Sequence, residues 1–149
     1  MTMTELKPQF AVVRIRGTVG MTKTVEDTLR MLHLYRKNYC TLVPHTSSVV
    51  GMLKKIKDFV AYGEVDQATI DVLFTQRGEF YMGSLQDSQG KITYASRYFV
   101  HNGKNYKKFF RLNNPRGGFE RRGIKVPYTM HGALGYRGIK MNLLVKKML

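Results

Sequence analysis

Residues 111–138, RLNNPRGGFERRGIKVPYTMHGALGYRG, carry glycine at positions 117, 118, 123, 132, 135 and 138 and proline at 115 and 127. That density of backbone breakers excludes a continuous helix or a long central strand. The chain must therefore accommodate this stretch as irregular backbone. It is not a linker by composition, because Phe119, Ile124, Val126, Tyr128, Leu134 and Tyr136 punctuate it. Arg111, Arg116, Arg121, Arg122, Lys125 and Arg137 face a single acid, Glu120. Guanidinium groups spaced along an extended, glycine-bearing backbone let the main chain approach a phosphate backbone closely. Free in water, such a segment repels itself and loses more entropy than its contacts offset. The expectation is a segment that RNA orders.

The competing explanation is a solvated basic face. Such faces interleave acids for solubility. Residues 104–149 instead hold twelve Lys/Arg and one acid, a net of +11. Residues 1–103 hold thirteen basic and nine acidic groups, a net of only +4. This asymmetry points to a polyanionic partner.

A chain of 149 residues, 43% of them hydrophobic, can bury one modest core with a small appended part. Its net charge of +15 calls for an anion. A membrane surface is the rival polyanion, but no apolar run nears the roughly 20 residues that span a bilayer. The basic residues also fall in glycine-rich loop and not on an amphipathic helix. The start MTMTELKPQF lacks an apolar signal segment. A single cysteine, Cys40, suits a reducing cytoplasm.

Along the chain, residues 9–16 read as a strand, with Val13 and Ile15 on one side and Arg14 and Arg16 on the other. Thr24 and Asp27 resemble a capping box opening a helix to about residue 37, with Val25, Leu29 and Leu32 on its stripe and Arg36 and Lys37 at its negative end. A strand at 39–43 follows. The sequence HTSS at 45–48 caps a second helix, reaching about residue 57, and a third strand follows at 59–62. This β-α-β-α-β order predicts two crossover units, helices on one face of a three-stranded sheet, and the other face free for a partner. Asp66 begins a helix over 67–77 that Gly78 stops. Strands are expected at 80–85, 91–100 and 105–112, with Asn102-Gly103 as a two-residue hairpin turn. A helix from about residue 139 places Met141, Leu144, Val145 and Met148 at i, i+3, i+4 and i+7, the spacing of a docking face.

Catalytic chemistry finds little footing. His33, His45, His101 and His131 lack metal-ligand spacing, and His33 falls in mid-helix. Cys40 alternates with apolar neighbours and reads as core. The β-α-β-α-β order also occurs in small acyl-phosphate hydrolases, with Arg16-Gly17 and Asn38 as the nearest equivalent of an anion cradle. Such a site needs one focused pocket, whereas here the charge is spread over 46 terminal residues.

The stretch LNNPRGGFERRGIKVPYTMHGALGYRG, followed by KMNLLVKKML, strongly resembles the C-terminus of archaeal-type large-subunit ribosomal proteins of the L-thirty family. RIRGTVGMTKTVEDTLRMLHLYRKNYCTLVP and GMLKKIKDFVAYGEVD resemble its first half, so the likeness covers most of the chain. It implies an α+β fold: a ferredoxin-like βαβαβ core, residues 1–63, with an extension over 64–149 packed on it. It also implies a structural constituent of the large ribosomal subunit in the cytoplasm, binding large-subunit rRNA and neighbouring ribosomal proteins, with no cofactor and no catalysis. On the resemblance alone, 5S rRNA joins the contacts. An RNA-binding assembly factor released from mature subunits is the alternative. The family's PRGG motif carries over at Arg116, Gly117 and Gly118, with Arg111, Lys125 and Arg137 nearby. The full set of candidate RNA-binding residues adds Arg14, Arg16, Lys23, His45, Ser47, Lys54, Arg121, Arg122 and His131. Three features depart from the family. Val50 precedes Gly51 where the family often has a basic residue. Residues 79–105 look like hairpins where a helical insert is expected, and Ile139 and Leu143 are apolar where polar residues are usual.

Overall fold

The computed structural model describes residues 9–94 and 97–149. Its centre is strand β1 (Gln9–Arg14), in which Phe10 to Val13 are all buried. An apolar run without polar alternation belongs to a strand covered on both faces, and that is its position. β2 (Tyr39–Pro44) and β3 (Val60–Glu64) pair with it on either side, both antiparallel. The two-residue strands β6 (Phe110–Arg111) and β7 (Gly135–Tyr136) extend the sheet outward, giving the order β6-β2-β1-β3-β7. Edge strands this short offer little template for pairing with another chain.

Two helices lie on one face. α1 (Lys23–Met31) and α2 (Ser47–Ile56) bury Leu29, Leu53 and Ile56 against Phe10, Val12, Val43 and Val60. The opposite face is also covered. α3 (Gln67–Arg77) and α4 (Met141–Met148) pack Ile70, Leu73, Phe74, Met141, Leu144, Val145 and Met148 onto Ala11, Val13, Ile15, Cys40 and Ala61. The expected free sheet face is thus filled by the chain's own C-terminal half. The i, i+3, i+4, i+7 face of α4 is buried as its spacing predicts.

The crossover expectation needs a second correction. Because β1 and β2 are antiparallel, β1-α1-β2 is not a crossover unit. Only β2-α2-β3 joins parallel strands, and β1 lies between them. The reversal is made by an early helix end. α1 stops at Met31 and not near residue 37, because His33 takes a left-handed φ of 61°. The Leu34 amide then bonds the Leu29 carbonyl at 2.9 Å and the His33 amide bonds Arg30 at 3.0 Å, the paired bonds of a Schellman stop. His33 is therefore a cap residue, and Arg36 and Lys37 lie beyond the helix. At the other end Thr22 precedes α1, and the Thr24–Asp27 capping box does not form. For α2, Thr46 Oγ1 does accept the Val49 amide at 3.3 Å.

Among the described residues between α3 and β6, regular strand is limited to the hairpin β4 (Tyr98–His101) and β5 (Lys104–Lys107). Its turn residues Asn102 and Gly103 have φ of 49° and 76°, the two positive values that an Asn-Gly turn favours. Residues 80–85 and 91–94 contribute isolated bridges and not strands, and residues 95–96 lie outside the described residues. Phe74 of α3 fastens the hairpin, stacking on His101 at 4.2 Å and meeting Tyr106 at 5.0 Å and Phe110 at 5.1 Å.

Candidate nucleic-acid interface

The glycine-rich basic loop, residues 113–138, wraps the end of the α4 layer and returns to the sheet edge. Its main chain is fixed at both ends. The Asn113 amide bonds the Met148 carbonyl at 2.9 Å, the Arg116 amide bonds Lys147 at 3.2 Å, and the Arg137 amide bonds Tyr62 of β3 at 2.8 Å. Inside the loop, Arg122 bonds His131, Ala133 bonds Gly123, and Leu134 bonds Val126. Ala133 and Leu134 join the core, with Phe119 and Ile124 packed against it. Gly132 allows this fold-back, since a Cβ there would stand 1.9 Å from the Val126 carbonyl. The loop thus has backbone bonds and core contacts of its own.

Gly117 and Gly118 have φ of 81° and 83°, with open space where each Cβ would stand. Their role within the chain is therefore conformational: they turn the backbone through a region that side chains rarely adopt. Pro115 before them is buried, while Arg116, Arg121, Arg122, Lys125 and His131 are exposed. Among the described residues no ion pair engages Arg116, Arg121, Arg122 or Lys125.

The other expected contacts fall into distinct places. Arg14 is 2% exposed, and its guanidinium donates to the carbonyls of Leu34 at 2.9 Å and Arg16 at 3.0 Å. Burial holds its pKa below the ordinary arginine value, with nearby Glu26 opposing that shift. Arg137 is also buried; it donates to Glu120 at 2.8 Å and to the Ala133 carbonyl, and lies 4.8 Å over the Tyr128 ring. Neither side chain is presented to solvent. Arg111 is exposed but pairs with Glu79, and Lys23 with Asp27 at 3.6 Å. Lys23, Ser47 and Lys54 belong to the α1–α2 layer, across the sheet from the α4 carbonyls that hold Arg116. His45 is exposed beside Phe10, ring centroids 4.5 Å apart. Arg16 reaches the Asp58 carbonyl at 3.4 Å, and Asn38 donates to Asn114 at 2.8 Å. Those two residues of the hydrolase reading are thus engaged separately, and they do not converge on an anion cradle. Among the described residues no group of three or more His, Cys, Asp or Glu side chains is placed to hold a metal ion.

Sequence reasoning passed over the tyrosines. Tyr62 and Tyr136 are cross-strand neighbours on β3 and β7, 5.6 Å apart, and Tyr128 stands beneath Arg137 and Lys140. The available signal was the aromatic punctuation of the basic stretch.

Fold and surface together define a class: an α+β protein with a ferredoxin-like core, whose cations lie on an exposed loop and not in a cavity. The sequence profile of the family described as Ribosomal protein L30p/L7e matches residues 10–60. A relative from Methanopyrus kandleri, called large ribosomal subunit protein uL30, is 42% identical over 149 aligned residues, covering 91% of this chain and all of its own length. Relatives of the same name from Methanococcus maripaludis and Korarchaeum cryptofilum are 37% and 39% identical, and the matches span 99% and 96% of their lengths. The chain belongs to the L30p/L7e family of ribosomal proteins.

Proposed function

We propose that the chain is a structural, non-catalytic constituent of the large ribosomal subunit that binds and stabilises large-subunit rRNA. The observation that carries this reading is the cluster of exposed cations without acidic partners at Arg116, Arg121, Arg122 and Lys125, on a loop whose backbone is held to α4 and β3. Exposed cations without acidic partners on one loop favour a polyanionic partner, and phosphate contacts of this kind position a protein on RNA. Arg137 serves the same end indirectly, since its bonds to Glu120 and the Ala133 carbonyl fix the backbone that presents the others.

In the turn just before α4 and on its outer side, Ile139 and Leu143 are 72% and 60% exposed. They are suited to a neighbouring subunit protein, and 5S rRNA is a further candidate contact of the same assembly. The assembly-factor reading predicts release, so the deciding measurement is stoichiometric co-sedimentation with large subunits after a high-salt wash. Absence from washed subunits overturns the structural assignment. Replacing all four exposed cations by glutamine should reduce the log–log salt slope of rRNA binding by about 3, the counterion release of four phosphate contacts. An unchanged slope would remove the loop from the interface.

A further inference from the structure

The sheet carries a row of aromatic rings contributed by four separate segments, in the spatial order of its strands. His45 follows β2, Phe10 lies on β1, Tyr62 on β3 and Tyr136 on β7. Successive centroids are 4.5, 6.0 and 5.6 Å apart. The central Phe10 is buried, but the row ends in exposed rings, with Tyr136 49% exposed. A core needs no such exposure. Beside Tyr62 and Tyr136 opens a groove of about 400 Å³, walled by Lys57 and Asp58 on one side and by Pro127 and Tyr128 on the other.

We infer that this groove is a stacking site for an unpaired nucleotide of the RNA, with Tyr136 as its aromatic platform. The proposal rests on the rRNA-binding reading above and adds to it a base-contacting site distinct from the phosphate-contacting cations. Base faces stack on exposed aromatic rings irrespective of sequence, and unstacked bases are what proteins most often recognise in RNA. The chemistry around the groove fits a nucleotide. Lys57 offers a cation to a phosphate, and the Asp58 carboxylate can accept from an exocyclic amino group. Of the nearby acids, Glu64 accepts the Tyr136 hydroxyl at 2.9 Å. That bond holds the ring at the strand edge, and together with burial it raises the Tyr136 pKa. The groove borders the basic loop itself, since Pro127, Tyr128, Leu134 and Gly135 belong to both.

The chain contains no tryptophan, so Tyr136→Trp installs a single local fluorophore. Its emission should be quenched by large-subunit rRNA and left unchanged by a fully paired RNA at equal phosphate concentration. Tyr136→Ala should weaken binding to large-subunit rRNA by about 5- to 150-fold, the loss of one stacked base. Tyr136→Phe, which keeps the ring and loses the Glu64 bond, should bind like the original chain. Overturning results are easily named. Equal rRNA affinity for Tyr136→Ala and the original chain, or quenching by paired RNA alone, removes the platform while rRNA binding stands. Quenching by protein extracted from the large subunit, but not by rRNA, reassigns the groove to a protein contact. Failure of the original chain to bind rRNA at all overturns the underlying reading as well. Should Tyr136→Ala lower the melting temperature, the fluorescence comparison still decides.

Discussion

Arg137 donates to Glu120 at 2.8 Å from a side chain that is nearly inaccessible, while Arg116, in the same loop, is exposed and has no acidic partner. Composition treats the two alike, and both stand as candidate RNA contacts in the sequence. What separates them is burial, which costs an unpaired guanidinium several kcal/mol and therefore demands a partner. The only hint in the sequence is that the stretch holds one acid, Glu120. Arg116→Ala should weaken rRNA binding by about 1.5–3 kcal/mol, the worth of a charge-assisted hydrogen bond, and leave the melting temperature unchanged. Arg137→Ala should destabilise the free protein by a similar amount, about 1.5–3 kcal/mol, because it strands the Ala133 carbonyl and the Glu120 carboxylate. Paired melting and filter-binding measurements check both. Equal losses of melting temperature in the two variants would sink this division of roles. Glu79 shows the same principle on the acidic side. Desolvation raises its pKa, but hydrogen bonds from Arg111 and Lys107 outweigh it and the net shift is downward. The stability it lends is present above the ordinary carboxylate range and is lost as pH falls through its depressed pKa.

The positions of the elements were more legible than their connections. Periodicity located α2 and α4 closely, because each displays an apolar face in a regular spacing, while a continuous apolar run marked β1, the Asp66 start and Gly78 stop bounded α3, and Asn102-Gly103 named its own turn. Strand direction was not legible. It depends on where α1 stops, and the stop is made by a histidine in a conformation usually given to glycine. Arg14 then supports the return from within, its guanidinium on the Leu34 carbonyl and its own carbonyl accepting the Asn38 amide at 2.7 Å. No local pattern announces contacts between residues so far apart in sequence. The docking of α4 is similarly hidden in one glycine. A Cβ at Gly63 would stand 2.3 Å from the Gly138 carbonyl and 2.8 Å from Met141 Cβ. Gly63→Ala should therefore push the start of α4 away from β3 and cost about 1–3 kcal/mol, the range for overpacking. Unfolding in denaturant measures it; a neutral result would mean that α4 approaches β3 less closely than described.

At the scale of the molecule, the family resemblance implies a core over residues 1–63 with an extension over 64–149, yet the described sheet draws strands from both. β6 and β7 close its two edges, and α3 and α4 cover the face formed by Ala11, Val13, Ile15, Cys40, Leu42 and Ala61. Truncation at residue 63 would expose that face, so residues 1–63 are not expected to fold alone. Cys40 supplies a probe for the whole chain. It is the only cysteine, has no exposed surface, and pairs through its backbone with Val13 on one side and Phe110 of β6 on the other. Burial pushes its thiol up to about 12, so it is protonated and unreactive while folded. If the two halves form one cooperative unit, a thiol reagent should label Cys40 only through global opening. The free energy from labelling rates under fast reclosing should then match that from equilibrium denaturation, with the same denaturant dependence. If β6 and its companions detach on their own, Cys40 should be labelled through a smaller opening, at lower free energy and with a shallower dependence on denaturant. The second outcome would establish residues 64–149 as a separable extension. The shared core on the α3–α4 face argues for the first.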